Sequence, residues 1–461
     1  MFSNRDLKRL IIPLVIEQTL ALTVGMFDAM MVSSAGEAAM SGVSLVDTIA
    51  ILLINMFSAF AAGGAILVGQ RVGARDLKSA GEAARLLVGV SFVLSAVITA
   101  LCLALNRGIL TLFFGTIEAD VMSSARSYFY ITTLSFPFVA VFNAAAALFR
   151  SMGDSRTPMI FSVMMNAINI VGNAIFIYGA GLGAFGAGLS TTIARVAAAV
   201  LLLIALRSPK LPVSVRSYGF GGTERAMMRH ILRFGLPNGL ENSIFQIGKI
   251  LLAGLVSTLG TTSIAANSVV NNLGVIAIIP GAAIGAGMTT VVAQCVGAGE
   301  TGQARRYVRR LMIITLTGMA LFAAMIYILT PFLLKAYNLS DETEQLARRV
   351  MLMHNIAVAV LWGTAFVPPN ALRASGDVVY PMIVAIASMF VCRVGLGYLL
   401  VYTTSLGIVG VYLGMFTDWV LRAALYMRRY FKLSRKWALA EATKTAAAAL
   451  VSPEENPAVR P

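Results

Sequence analysis

The sequence contains little charge. Asp, Glu, Lys and Arg together make up 12% of the 461 residues, whereas soluble globular proteins contain about 25%. Residues 86–105 and 311–330 contain none at all, and each is about as long as a helix needs to be to cross the hydrocarbon core of a bilayer. These stretches do not alternate apolar and polar residues as the strands of a membrane β-barrel do. The composition therefore excludes an ordinary soluble protein and predicts an all-α integral membrane protein.

Residue types that perform catalysis or bind metals are equally scarce. The chain has three cysteines and two histidines, His230 and His354, which stand far apart. An odd number of cysteines in or beside apolar stretches gives neither a disulfide framework nor metal-ligand spacing. No glycine-rich phosphate loop or nucleophile motif is visible. We therefore expect no enzyme activity. We also expect no cleavable signal peptide, because the first apolar stretch continues as a full span.

The net charge of +15 reflects membrane topology rather than a nucleic-acid partner. Lys and Arg cluster at every second connection between apolar stretches. Four of the alternate connections contain neither: residues 33–41, 178–183, 259–263 and 402–406. Positively charged loops stay on the cytoplasmic side of a membrane. We therefore expect both termini in the cytoplasm, which for a bacterial protein implies the cytoplasmic (inner) membrane.

Apolar stretches predict about twelve transmembrane helices. They cover residues 10–32, 43–68, 86–105, 128–149, 159–179, 185–206, 236–258, 268–293, 311–334, 350–372, 381–402 and 408–428. We expect an N-terminal lobe of six helices at 1–207, a cytoplasmic linker at 208–230 and a C-terminal lobe of six helices at 231–436. The remaining residues, 437–461, become Ala-rich and then polar, and we expect them to be disordered.

The two halves of the chain repeat. At an offset of 224 residues, Pro13, Glu17, Gly36 and Gln70 return as Pro237, Glu241, Gly260 and Gln294. At an offset of 223, Arg150, Gly153, Asp154 and Pro158 return as Arg373, Gly376, Asp377 and Pro381. Six helices per half give both repeats the same orientation in the membrane. Parallel repeats of this kind occur in transporters, whose substrate site lies between the halves.

Ionisable residues within the spans indicate candidate sites, because a charge inside the bilayer is costly and normally faces the interior of the bundle. Asp28 has no carboxylate at its repeat position, which is Leu252. It could exchange a proton, bind Na⁺ together with neighbouring oxygens, or only hydrogen-bond to adjacent helices. Lys249 replaces Gly25 of the first half and needs an anionic partner, for which Asp28, Glu241 and a substrate are the alternatives.

Other polar residues extend these sites. Glu17 and Glu241 are repeat mates, so a structural role and a functional role are equally compatible with their positions. Asn173 lies in the fifth span on a stripe of amides. Asp418 and Arg422 are four residues apart, a spacing that lets them neutralise each other on one helix. The candidate residues for a substrate cleft are Glu17, Gln18, Asn169, Gln246 and Lys249.

These motifs resemble the multidrug and toxic compound extrusion (MATE) family. Residues 13–36, with Gly-Met-Phe-Asp ending at Asp28, resemble its first helix. Two Gln-x-x-Gly-Ala loops and two Arg-x-x-Gly-Asp-x-x-x-Pro turns are also similar, at 70–74, 294–298, 150–158 and 373–381. The resemblance covers roughly residues 5–435 and therefore includes all of the predicted spans.

The resemblance implies two six-helix lobes around a V-shaped cleft, and export of amphiphilic, often cationic compounds driven by inward H⁺ or Na⁺ movement. Asp28 matches the family's first-helix aspartate, which is linked to cation binding and substrate release. Glu241 matches a seventh-helix glutamate of one bacterial branch, although the tenth-helix acid of that branch has no counterpart near Trp362. Asn173 stands where another branch has an aspartate. We expect cation coupling at Asp28, Glu241 and Asn173, with Na⁺ held by Asp28 and Asn173 as the alternative to H⁺, no other cofactor, and a monomer.

Two other functions predict different features. A flippase for a lipid-linked precursor would need several basic residues in its cleft to hold a pyrophosphate. A membrane enzyme or receptor would need a cluster of acids, histidines or cysteines at a membrane face, and the sequence contains no such pattern. Antiport of drugs or metabolites therefore remains the leading hypothesis, with the flippase as the alternative.

Overall fold

The computed structural model describes residues 1–115, 117–215, 225–337 and 339–451, and the regular secondary structure within them is helical. The long helices in these residues form twelve rods: α1 (Asn4–Ser33), α2 (Glu37–Gly73), α3 (Leu77–Ala104), α4 (Ala119–Thr133 and Phe136–Ser151), α5 (Arg156–Gly179), α6 (Gly183–Leu206), α7 (Arg225–Ser257), α8 (Thr261–Gly297), α9 (Thr301–Ala336), α10 (Asp341–Ala374), α11 (Val379–Thr403) and α12 (Ile408–Val451). A short helix, Asn106–Phe114, precedes α4. The first six rods form the N-lobe and the last six form the C-lobe.

The helices have the length and composition of membrane spans. Nine helices in the described part of the chain are long and apolar enough to cross a membrane, and ten if the two parts of α4, bent by 46°, count as one span. α1 and α7 are 30 and 33 residues long, which is also sufficient, but they contain the ionisable residues predicted for the sites. The prediction of an all-α membrane protein with about twelve spans in two lobes is confirmed.

Small side chains allow the helices of each lobe to pack closely. In the N-lobe, Ala83 and Ala84 of α3 and Ala144 and Ala145 of α4 are completely buried in one cluster. Lipid is as apolar as a protein core, so helices in a membrane associate by close van der Waals packing rather than by leaving water. In the C-lobe the corresponding cluster has larger residues such as Met351.

Three rods adopt π-helical geometry over part of their length, in segments Ala174–Gly179, Val358–Trp362 and Met389–Gly395. A π-helical turn holds an extra residue, interrupts the regular hydrogen bonding, and occurs frequently at functional sites. Asn173 immediately precedes the first segment, Trp362 ends the second, and Arg393 lies within the third. Each of these residues faces a cavity or polar cluster described below.

The repeated Arg-x-x-Gly-Asp turn joins α4 to α5 and α10 to α11. Gly153 and Gly376 adopt positive φ angles of 90° and 97°, which side chains rarely adopt and glycine adopts freely. Asp154 then accepts hydrogen bonds of 2.9 and 3.1 Å from two backbone N–H groups at the start of α5. Asp377 instead binds Arg429 of α12 at 2.7 Å. The motif is therefore a helix-ending turn in both lobes.

The tail and linker differ from the sequence-based prediction. α12 continues to Val451; Trp437 is buried, and Lys444 binds Glu300 at 2.7 Å. The prediction of disorder from residue 437 onward is therefore wrong up to Val451. An Ala-rich segment has high helix propensity, so it extends the existing helix. Residues 452–461 lie outside the described part. α7 also begins at Arg225, within the expected linker at 208–230, of which residues 216–224 are not described.

Reciprocal hydrogen bonds join the lobes at one end of the bundle. This end, called the basic end below, contains the α2–α3, α4–α5, α8–α9 and α10–α11 connections. Gln70 of α2 donates to the carbonyl oxygen of Ala374 in the C-lobe at 2.8 Å. Its repeat mate Gln294 of α8 donates to the carbonyl oxygen of Ser151 in the N-lobe at 2.7 Å. The two Gln-x-x-Gly-Ala loops thus hold the lobes together.

Glycines allow the backbones of the two lobes to approach this closely. A Cβ atom added at Gly73 would overlap the backbone of Gln294, and one added at Gly297 would overlap the backbone of Gln70. Earlier in α2, farther from the basic end, a Cβ at Gly63 would collide with the backbone of α7. These contacts lie in the halves of α2, α7 and α8 nearest the basic end, which closes the interface there.

We expect Gly297→Ala to separate the lobes at the basic end, because overpacking a tight contact costs about 1–3 kcal/mol. The measurement is the distance between spin labels placed by cysteine substitution at the exposed residues Lys78 and Arg305, after the native cysteines are replaced. Gly297→Ala should lengthen and broaden the distance distribution in nanodiscs. Gly81→Ala is the control, since a Cβ there meets no atom within 4 Å. An unchanged distribution in folded Gly297→Ala would contradict the proposed contact.

Candidate functional site

An acidic cluster lies within the N-lobe. It is called the N-lobe site and consists of Asp28 of α1, Asp47 of α2, Tyr128 of α4, Asn173 of α5 and Arg195 of α6. Asn173 is fully buried and donates a hydrogen bond from Nδ2 to Oδ1 of Asp28. The Tyr128 hydroxyl donates to Oδ1 of Asp47 at 3.0 Å. The structure therefore brings together the predicted pair, Asp28 and Asn173, and adds three residues to it.

The N-lobe site has more negative than positive charge. Arg195 interacts electrostatically with both aspartates, but its Nη1 donates to Ser135 at 2.9 Å. No ion pair within 4.0 Å joins it to either carboxylate in the described structure. Two carboxylates therefore share one nearby cation, and uptake of a proton or a metal cation would balance the charge.

Oxygen atoms dominate the N-lobe site, as a hard cation requires. They come from Asp28, Asp47 and the amide and hydroxyl groups beside them. The Oδ1 atom of Asn173 is buried and has no hydrogen-bond partner in the structure. An unsatisfied buried acceptor next to a carboxylate is a suitable ligand for Na⁺, and the carboxylate itself can accept a proton. These residue types suit a proton or Na⁺, although the described residues contain no group of three or more His, Cys, Asp or Glu side chains that could hold a metal ion.

Glu17 and Glu241 form equivalent ion pairs in the two lobes. Arg150 donates to Glu17 at 2.7 Å, and Arg373 donates to both oxygens of Glu241 at 2.6 Å. Each arginine is the first residue of an Arg-x-x-Gly-Asp turn, so the repeat supplies both partners in both lobes. Glu241 therefore lies apart from the N-lobe site and is neutralised by Arg373. The pair joins α7 to α10, and both of its side chains also line the cavity between the lobes that is described next.

A cavity of about 500 Å³ lies between the lobes. Trp362 and Phe366 of α10 form an aromatic wall, with ring centroids 4.8 Å apart. Gln18 of α1, Asn55 of α2 and Asn242 of α7 supply amide groups from both lobes. The cavity therefore combines a flat apolar surface with hydrogen-bonding groups, the usual composition of a small-molecule site.

Among the residues predicted for the cleft, only some line a cavity. Gln18 lines the interlobe cavity, whereas Lys249 lines a separate pocket of the C-lobe. Asn169 is buried between α5 and α6, where its Nδ2 donates to Thr191 at 3.1 Å, so it serves helix packing. Gln246 is half-buried on α7, one turn before Lys249.

Two predicted ion pairs have different outcomes. Asp418 and Arg422 are bonded at 2.7 Å within α12, which confirms the pairing read from their spacing. Lys249 has no ion pair among the described residues, and its charged neighbour is Arg393. Of the three alternatives for its partner, Asp28 bonds Asn173 and Glu241 bonds Arg373 instead, which leaves a substrate.

Sequence reasoning missed several members of these sites, among them Tyr128, Trp362 and Phe366. Tyr128 reaches Asp47 across 81 residues of sequence, and nothing near it in the sequence indicates that contact. Trp362 and Phe366 are four residues apart, a spacing that places them on one helix face. That spacing was a usable signal, but in a chain rich in apolar residues it does not distinguish a cavity wall from a helix contact.

Comparison with known proteins identifies the family. A profile of the MatE family matches residues 13–175 and 237–399. This chain belongs to the MatE family. The two matched segments begin 224 residues apart, which is the offset of the internal repeat. The resemblance found from the sequence motifs is confirmed.

Relatives of this MatE protein are described as multidrug resistance proteins. It is 24% identical over 446 residues to the probable multidrug resistance protein NorM of Thermotoga maritima, covering 94% of this chain and 93% of that protein. It is 26% identical over 420 residues to the probable multidrug resistance protein YoeA of Bacillus subtilis, covering 89% of each. The family is one of multidrug efflux transporters for small molecules, not of enzymes.

Solved structures support the fold independently. One, an outward-facing conformation of a multidrug resistance MATE family transporter of the MOP superfamily, superposes with a TM-score of 0.86 at 21% identity. The superposition covers 94% of this chain and 96% of that structure. At this level of identity the likeness establishes the MatE fold and does not transfer the roles of single residues.

We expect Arg373→Gln to destabilise the protein by about 3–5 kcal/mol, because it leaves the Glu241 carboxylate largely buried without its partner. The double variant Glu241→Gln/Arg373→Gln should recover part of that loss. Thermal unfolding in detergent, followed by tryptophan fluorescence, measures both. Arg306→Gln is the control, since its pair with Glu441 is exposed and such pairs contribute about 0–1 kcal/mol. Glu241→Gln alone completes the cycle, and additivity of the two single changes in the double variant would contradict a coupled pair.

Proposed function

We propose that this protein exports small amphiphilic compounds by antiport, with inward movement of H⁺ or Na⁺ through the N-lobe site. The observation that carries the proposal is the contact between the buried Asn173 and Asp28, beside Asp47. The two carboxylates outnumber the one cation, Arg195, so the site gains stability when it takes up a cation. Such a gain is the driving interaction that coupled transport requires.

The interlobe cavity supports an amphiphilic substrate. Trp362 and Phe366 offer a flat apolar surface, and Gln18 and Asn242 offer hydrogen bonds on opposite lobes. Aromatic faces attract cations as well as apolar rings, so organic cations fit this cavity. A substrate held between the lobes contacts both of them, which is the arrangement that alternating access of two repeats requires.

We further propose that the basic end faces the cytoplasm and that both termini lie there, in the inner membrane of a bacterium. The basic loops support this orientation. The lobes meet at this end through Gln70 and Gln294, so the cavity would open to the outside. Transport then requires these bonds to break while the lobes close at the opposite end. The protein would work as a monomer, since each chain contains both lobes.

A flippase is less compatible with the interlobe cavity. The arginines that line it are Arg150, Arg373 and Arg422, and each is bonded to a carboxylate at 2.6 to 2.7 Å. Neutralised arginines bind a pyrophosphate weakly, because the paired carboxylate repels it. The cavity therefore favours the antiport hypothesis.

We expect Asp28→Asn to abolish gradient-driven efflux while leaving the protein folded, because it removes a charge that lipid disfavours but keeps the size of the side chain. The measurement is efflux of a cationic dye from proteoliposomes under imposed pH or Na⁺ gradients. Efflux should fall at least about tenfold, which corresponds to 1.4 kcal/mol. Asp47→Asn should also impair it. Asp120→Asn, an exposed change, is the control.

The same assay tests the alternatives. Dependence on only one of the two gradients identifies the coupling ion. Wild-type efflux that persists in Asp28→Asn would contradict coupling at the N-lobe site. Folded wild-type protein that moves no dye under either gradient, across a panel of cationic dyes, would contradict multidrug antiport and favour the flippase.

A further inference from the structure

A second polar pocket lies in the C-lobe and has no role in the function proposed above. It measures about 180 Å³ and is called the C-lobe pocket. Its polar lining consists of Lys249 of α7, Asn267 and Asn271 of α8, Arg393 of α11 and Tyr412 of α12. These helices are the first, second, fifth and sixth of the C-lobe. The N-lobe site draws residues from the same four positions of its own lobe and, through Tyr128, from its fourth helix, so the two sites are related by the internal repeat.

The C-lobe pocket contains more positive than negative charge. Asp418 binds Arg422 at 2.7 Å and is 4.0 Å from Nη1 of Arg393. One carboxylate therefore serves two guanidinium groups. The Nε atom of Arg393 is buried and has no hydrogen-bond partner in the structure. Lys249 is exposed and has no ion pair among the described residues, and the lining contains no carboxylate, so an anion would balance the charge of the pocket.

The remaining polar groups supply hydrogen-bond donors. The Tyr412 hydroxyl donates to Oδ1 of Asn267 at 3.1 Å, which occupies the oxygen of that amide and leaves its nitrogen for a ligand. Asn271 adds a second amide to the lining. A guanidinium and amide nitrogens around an ammonium group form a donor set that suits a carboxylate or phosphate oxygen.

The repeat shows that the fold does not require these charges. Lys249 occupies the position of Gly25, and Asn271 occupies the position of Asp47. The N-lobe folds into the same six-helix arrangement with the opposite charge in its site. An unpaired lysine in a membrane span is energetically costly and is by default functional. We therefore interpret Lys249 as a residue that binds a ligand and not as one that stabilises the fold.

We propose that the C-lobe pocket binds an oxyanionic group, a carboxylate or a phosphate, with Arg393 at its base and Lys249 at its mouth. The assignment of this anionic group to a transported compound rests on the proposed function. It extends the substrates from simple organic cations to zwitterionic or anionic amphiphiles. The N-lobe site would then hold the coupling cation, and the C-lobe pocket would hold the anionic end of the substrate.

The test is calorimetric titration of the full-length protein in nanodiscs of zwitterionic lipid. The probes are benzoate and inorganic phosphate, and benzamide is the uncharged control with the same ring as benzoate. We expect wild type to bind benzoate or phosphate and not benzamide. Lys249→Met should weaken anion binding at least tenfold, whereas Lys249→Arg should retain it within about threefold, since the charge is kept. Lys335→Met, an exposed lysine on α9, should leave binding unchanged.

Two results would overturn the proposal: failure of both anions to bind wild type, or equal binding to wild type and folded Lys249→Met.

Nanodiscs that contain phosphatidylglycerol identify the source of the anion. Competition between this lipid and benzoate assigns the pocket to a lipid headgroup, and absence of competition assigns it to a soluble compound. Because no gradient is applied, failure of cation-coupled efflux would leave this result standing. Normal dye efflux without anion binding would refute only the proposal of an anion-binding pocket and would leave the proposed antiport unaffected.

Discussion

Lipid cannot hydrate a charge, and this constraint organises the rest of the structure. Most ionisable residues in the spans are neutralised by direct partners: Glu17 by Arg150, Glu241 by Arg373 and Asp418 by Arg422. The first two pairs join helices within a lobe, the third lies within α12, and together they leave little charge free. Asp28 and Lys249 have no such partner. They lie in polar pockets, where a ligand or ion can balance them, which is why the pockets and not the ion pairs are the functional candidates.

The internal repeat explains how one fold can contain two sites of opposite charge. Equivalent helices frame the N-lobe site and the C-lobe pocket, and the backbone that positions them is set by shared features such as the glycine of each Arg-x-x-Gly-Asp turn. Substitutions at pocket positions then change chemistry without changing the frame, as the pairs Asp28 and Leu252 or Gly25 and Lys249 illustrate. The same symmetry makes the contacts of Gln70 and Gln294 at the basic end reciprocal. Each lobe therefore contributes one donor and one acceptor to the contact that closes this end.

Much of the fold could be predicted from the sequence, but less of the sites. Long uncharged stretches revealed the spans, because a helix must bring about 20 apolar residues to cross a bilayer. The i, i+4 spacing of Asp418 and Arg422 revealed their pair, because both lie on one helix. The partner of Glu241, 132 residues away, could not be found that way. Nor could the helical tail after Trp437, where local propensity and docking on Glu300 prevail over a composition that resembles disorder.

By itself the sequence determined that this protein is a two-lobed helical membrane transporter of the MatE family, because hydropathy, charge alternation and repeat are properties of the chain alone. It also indicated Asp28, since a lone acid in a span stands out without any structure. Only the tertiary structure decided which charges are satisfied and which are available. That outcome depends on distances of a few ångströms between side chains on different helices. Helix packing placed an arginine against each of the repeated glutamates, a buried amide against Asp28, and a second cation, Arg393, beside Lys249.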